Sequence, residues 1–208
     1  MRGMDTNEFF DHHLSRHPVM AIFRGMEAAR TVELCEAAWQ AGVQLIEVPI
    51  QTEDAVDTLR AVVAAGARHD RLVGAGTVIT RELVQIAADA GAAFTIAPDV
   101  NKLVIRECAH LGLPHLPGVA TSTEIAKALR LGLTWQKMFP AAQLGPDWAK
   151  AQHGPFPQVR FVATGGMNAA NAQKFLNAGV TAVAIGSAFA DPEQIKQLAT
   201  LTTESTSS

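Results

Sequence analysis

The sequence predicts an α/β protein, a (β/α)8 TIM barrel in a single domain. Three observations point there: short apolar runs at regular intervals, helically spaced apolar residues between them, and a glycine closing most of the helical stretches. Gly42, Gly66, Gly91, Gly112 and Gly132 recur at intervals of about 20–25 residues, and Gly179 follows about two such steps later. A glycine past the last helical turn supplies the left-handed cap that turns the chain toward the next strand. The runner-up is an open doubly wound sheet.

Taken in order, the first strand spans 19–23, and helical spacing over 31–41 ends at Gly42, ahead of a second strand at 43–48. Gly66 precedes a third strand at 71–74 and fits the pattern more loosely. A helix over 81–90, closed by Gly91, leads to a fourth strand at 94–97. Another over 101–111, closed by Gly112, leads to a fifth at 114–117. A third over 121–131, closed by Gly132, leads to a sixth at 135–138. The seventh strand is 160–164, a helix covers 169–178, and the eighth strand is 182–185, after Gly179. The strands are mostly continuous apolar runs, as expected where helices cover one face and a packed interior the other. Eight such units argue for closure into a barrel. The domain covers 1–208, with its core at about 19–199 and a Thr- and Ser-rich tail over 200–208 expected to fray.

Of the 208 residues, 48% are hydrophobic and 18% charged, and the formal net charge is -3 with no basic run. That balance offers no electrostatic footprint for nucleic acid or an anionic membrane surface, so a small molecule is the expected partner. Cys35 and Cys108 lie in helical, apolar-periodic segments without CxxC or Cys/His spacing, and read as reduced core thiols. His12, His13, His17, His69, His110 and His153 show no ligand spacing, so neither a metal nor another cofactor is indicated. No stretch approaches the roughly 18 apolar residues of a membrane span, and the polar start is unlike a signal peptide. A cytoplasmic protein is the expectation.

In a parallel barrel the active site forms at the C-terminal ends of the strands. Reading the strand exits gives Arg24, Glu47, Thr77, Pro98, Lys137, Thr164-Gly165-Gly166 and Gly186-Ser187. Lys137 stands in an apolar strand with no acid nearby in sequence. An unpartnered buried ammonium is costly, and a neutral amine attacks ketones, which makes Lys137 a Schiff-base candidate. Glu47 is the single acid of the second strand. If both point into the mouth they form a coupled acid and amine able to move protons around a Schiff base; the bland alternative is an ion pair that only joins two strands. The glycine turns at Gly165-Gly166 and Gly186-Ser187 follow strands seven and eight, where such barrels hold phosphate on backbone N–H groups. Arg24 and Thr77 are suited to an anionic end of the substrate. His115 is more simply a satisfied core or strand-end histidine than a catalytic one.

With these residues placed, the chain resembles the 2-keto-3-deoxy-6-phosphogluconate and 2-keto-3-deoxy-6-phosphogalactonate aldolases over about 19–189. The matching segments are Ala21-Ile22-Phe23-Arg24-Gly25, Ile46-Glu47-Val48-Pro49, Gly74-Ala75-Gly76-Thr77-Val78, Ala97-Pro98, Pro117-Gly118, Lys137-Met138-Phe139-Pro140, Thr164-Gly165-Gly166 and Gly186-Ser187. The resemblance implies a class I aldolase on a homotrimeric barrel, with Lys137 as Schiff-base lysine and Glu47 as proton shuttle. It also implies that Arg24, Thr77, Gly166, Gly186 and Ser187 contact the substrate and its phosphate, and that Pro98 and Phe139 line the pocket. Phosphogluconate-type members usually carry arginine where this chain has Gln51, and Gln143-Leu144-Gly145-Pro146 is also similar to the galactonate type. Gln51 is therefore the specificity candidate and the galactonate-type substrate the expectation. Gly154-Pro155-Phe156-Pro157-Gln158-Val159-Arg160-Phe161 is closer to the phosphogluconate branch, whose substrate differs only at C4. Two other classes are a phosphate-binding barrel without catalysis and a phosphosugar epimerase or synthase, neither of which needs a covalent lysine.

Overall fold

Nine short parallel strands form one sheet in the computed structural model, which describes residues 5–186. Their order is β5 (His115–Leu116), β4 (Thr95–Ile96), β3 (Leu72–Gly76), β2 (Leu45–Pro49), β1 (Val19–Ile22), β9 (Ala182–Ile185), β8 (Arg160–Thr164), β7 (Trp135–Met138) and β6 (Gly118–Val119). The two outermost strands, β5 and β6, are successive halves of one segment broken at Pro117. On one side Ala97 N donates to Leu116 O at 3.0 Å and Gly118 N to Asp99 O at 3.1 Å. On the other, Lys137 N donates to Pro117 O at 2.8 Å and Phe139 N to Val119 O at 3.1 Å. The sheet thus closes on itself as an eight-stave barrel. The expected fifth strand at 114–117 is corrected to this broken stave, because Pro117 has no N–H with which to continue a ladder.

Helices α2 (Ala28–Gln40), α3 (Glu53–Ala67), α4 (Arg81–Asp89), α5 (Lys102–His110), α6 (Ser122–Arg130), α7 (Ala141–Leu144), α8 (Pro146–His153) and α9 (Ala169–Asn177) follow the strands. Thr52, Thr80, Asn101, Thr121 and Asn168 each accept a hydrogen bond from a first-turn N–H, which sets where α3, α4, α5, α6 and α9 begin. Gly42, Gly91, Gly112, Gly132 and Gly179 take positive φ just past the helix ends, as their spacing predicts. Gly66 does not: it lies inside α3, and Asp70, at φ 54°, makes the left-handed turn instead.

Alternation along the strands sorts the apolar residues into two cores. Met20, Leu45, Ile96, Leu116, Trp135, Val162 and Ala182 point into the barrel, while Ala21, Ile46, Val73, Phe161 and Val183 pack outward against the helices. Both faces are dry, which is why the strands read as unbroken apolar runs. A helix that the glycine spacing does not predict, α1 (Thr6–Leu14), precedes β1 and sends Phe9, Phe10 and Leu14 into the inner core. The core therefore starts before residue 19, and the polar face of α1 is what hides it in the sequence. The far boundary at 199, the tail 200–208 and Ser187 lie outside the described residues.

Candidate active site

Inward parity carries the chemistry. Glu47 follows Leu45 by two residues on β2, Lys137 follows Trp135 on β7, and Thr164 follows Val162 on β8, so all three share the inner face at the C-terminal end. Lys137 Nζ stands 3.8 Å from Glu47 Oε1, with the two side chains 4% and 0% exposed. Neither Glu47 oxygen has a hydrogen-bond donor within reach among the described residues. The gap exceeds hydrogen-bond length, leaving both groups free to engage a third atom between them. A buried pair kept for stability alone does best when protein donors satisfy its remaining lone pairs, and none of the described residues does so for Glu47.

The backbone makes room for that carboxylate. Gly76 ends β3 beside β2, and a Cβ built there would fall 2.0 Å from Glu47 Oε1. The next residue, Thr77, holds φ 60°, an unfavourable value for a β-branched side chain. Lys137 Nζ lies 5.4 Å from the centre of the Phe139 ring.

A cavity of about 420 Å³ opens beside the pair, lined by Arg24, Lys137, Phe139, Gly165, Gly166 and Gly186 among the expected residues. Thr164 lines it as well; in the sequence it is visible only as part of a glycine turn, and its inward parity with Val162 is the signal that marks it. Met26, Leu34 and Met167 supply apolar wall that no motif announced. Gly165 and Gly166 have φ of 95° and 73°, and their turn is held by Ala142 N donating to Gly165 O and Asn171 Nδ2 to Gly166 O. An Asn168 and Asn171 capping box then opens α9, so the positive end of that helix follows the turn directly.

The remaining expected residues fall elsewhere. Thr77 and Pro98 stand at the exits of β3 and β4 and do not line this cavity. Gln51 is exposed in the bend after β2, outside the cavity, because strand alternation stops at Pro49. His115 faces away from the barrel interior, with Nδ1 2.8 Å from Thr95 Oγ1 and 3.6 Å from Cys108 Sγ of α5. Burial pushes its pKa down to about 4, so the ring is neutral at pH 7 and has no access to the mouth. Cys35 and Cys108 are free and buried. Burial raises both thiols, Cys108 to about 11. Among the described residues no group of three or more His, Cys, Asp and Glu side chains is placed to hold a metal ion, and no helix is long and apolar enough to cross a membrane.

The profile of a family described as "Aldolase: KDPG and KHG aldolase" matches residues 10–202. A 2-dehydro-3-deoxy-phosphogluconate aldolase of Treponema pallidum (strain Nichols) is 38% identical over 160 residues, 76% of this chain and 74% of that protein. A 2-dehydro-3-deoxy-6-phosphogalactonate aldolase of Escherichia coli (strain K12) is 31% identical over 171 residues, 82% of this chain and 83% of that protein. A crystal structure of KDPG aldolase from Legionella pneumophila, with pyruvate captured at low pH as a covalent carbinolamine intermediate, aligns with a TM-score of 0.79 at 31% identity. That alignment covers 92% of this chain and 95% of the other.

Proposed function

The chain belongs to the KDPG and KHG aldolase family, and from that premise we propose that Lys137 is its nucleophile and Glu47 its proton carrier. The protein is an aldolase, a carbon–carbon lyase. The observation that carries the site assignment is the buried Lys137 and Glu47 pair beside the cavity.

Lys137 Nζ, as the free amine, attacks the C2 ketone of a phosphorylated 2-keto-3-deoxy sugar acid, and the carbinolamine loses water to give an iminium. Glu47 takes the proton of the C4 hydroxyl as the C3–C4 bond breaks, and the bonding pair flows into the iminium to form an enamine. The C4 oxygen becomes the carbonyl of glyceraldehyde 3-phosphate, which leaves. Protonation of the enamine at C3 by Glu47, then addition of water, releases pyruvate and regenerates the amine. The Gly165-Gly166 turn, Gly186 and the N-terminus of α9 form the phosphate site, to which the family resemblance adds Ser187, and Arg24 holds an anionic end of the substrate. Thr77 and Pro98 close the opposite arc of the mouth. The working form is a homotrimer in the cytoplasm, as the family resemblance implies.

The preferred substrate in this reading is the phosphogalactonate type, on the residues around Gln51 and Gly145-Pro146. The phosphogluconate type is a second reading, favoured by the 38% identity to the Treponema relative and by the segment around Phe156. Pyruvate release from both epimers, compared as kcat/KM, tests the choice. A higher value for the galactonate epimer is expected; a higher value for the gluconate epimer reverses it, and turnover of neither removes the substrate class.

A further inference from the structure

Helix α1 does more than plug the barrel. Asn7 Nδ2 donates to Gly132 O at 2.8 Å, and Asn7 Oδ1 accepts from both the N–H and the hydroxyl of Thr134 at 2.9 Å. Asp11 Oδ1 accepts from the Trp135 indole Nε1 at 2.9 Å, and the Arg160 guanidinium reaches the same oxygen. Arg160 also lies over the Trp135 ring, 5.7 Å from its centre, and Phe10 meets that ring at 6.1 Å between centroids. Every one of these contacts lands within five residues before Lys137 or on the strand beside it.

Trp135 is fully buried and is the inward residue directly preceding Lys137 on β7, so strand alternation sets its indole in the layer of the inner face below the lysine. We propose that Asp11 is a positioning residue for Lys137, acting through the Trp135 indole; this rests on Lys137 being the nucleophile. The indole N–H is the one polar group of the Trp135 side chain, and Asp11 Oδ1 accepts from it. Without an acceptor it rotates to find one, and the amine above it moves relative to Glu47. Misplacement of about 1 Å at a reacting group costs on the order of 100-fold in rate. The stability contribution of Asp11 is small by comparison, because its side chain and that of Arg160 are 42% and 45% exposed and such pairs are screened by solvent. A split between rate and stability is therefore the signature of the role.

The test compares Asp11→Ala, Asp11→Asn, Trp135→Phe and the Asp11→Ala/Trp135→Phe pair in kcat, KM, Tm and the rate of borohydride trapping of pyruvate on Lys137. Asparagine keeps an Oδ1 acceptor for the indole, so Asp11→Asn is expected to hold kcat within about twofold while Asp11→Ala loses about tenfold, with KM nearly unchanged and slower trapping. The pair is expected to be no slower than Trp135→Phe alone. Wild-type kcat in Asp11→Ala, equal losses in alanine and asparagine variants, or additive losses in the pair would each overturn the proposal. If Trp135→Phe fails to fold, the alanine and asparagine comparison decides by itself. If the wild-type protein is not labelled on Lys137, the nucleophile assignment falls and this proposal with it, an outcome distinct from normal labelling with an unaffected Asp11→Ala.

Discussion

A carboxylate with no donor within reach among the described residues and an amine 3.8 Å away is an expensive arrangement to bury, and Gly76 is what makes it sterically possible. Gly76→Ala places a methyl where Glu47 Oε1 now sits, so the carboxylate must move from Lys137. We expect kcat to fall by about 10²–10⁴-fold in Glu47→Gln, the range for loss of a general acid–base group, and Gly76→Ala to fall in the same direction with its fold retained. Steady-state pyruvate release with circular dichroism checks both; a normal rate in Gly76→Ala would mean that the carboxylate position is not what limits turnover. Lys137, Glu47 and the Gly165-Gly166 turn were legible in the sequence because each is a polar or glycine exception at the end of an apolar strand. The place of Gln51 outside the cavity was not legible, for the converse reason. Past Pro49 the chain bends, and inward parity no longer carries over.

Among the elements, the helices are legible in the sequence where caps and glycines punctuate them, and obscure where tertiary contacts decide. The break at Pro117 follows from closure of the barrel, since β5 and β6 pair with different neighbours on either side of it. The contact of β4 and β5 with α5 runs through Thr95, Cys108 and His115. Folding holds His115 neutral, with a pKa lowered by burial from 6.5 to about 4. A depressed histidine contributes stability that is present above pH 6.5 and lost as pH falls toward 4, because the unfolded chain takes up the proton first. Over that window the loss approaches about 3 kcal/mol for this one group. Urea unfolding of wild type and His115→Gln at pH 7.5 and pH 5 measures it: the difference between pH values is expected to shrink in the variant. An identical pH dependence in both would show that His115 titrates normally in the fold.

For the whole molecule, one closed sheet separates a dry inner column from an outer helical shell, and the site forms where the inner column meets solvent. The repeat of about 20–25 residues was enough to predict that architecture, because each unit must return the chain to the same end of the sheet. The repeat carries no information about α1, which belongs to no βα unit and closes the opposite end through Phe9, Phe10 and Leu14. Floor, nucleophile and mouth thus lie along a single strand, β7, with Trp135, Lys137 and Phe139 in succession at its inner face and exit. In the proposed reaction the lysine of that column becomes covalently bound to substrate. Incubation with pyruvate and sodium borohydride, followed by digestion and peptide mass spectrometry, tests it most directly. A reduced pyruvate adduct on Lys137 with parallel loss of activity is expected, and an adduct on another lysine, or none at all, would contradict it.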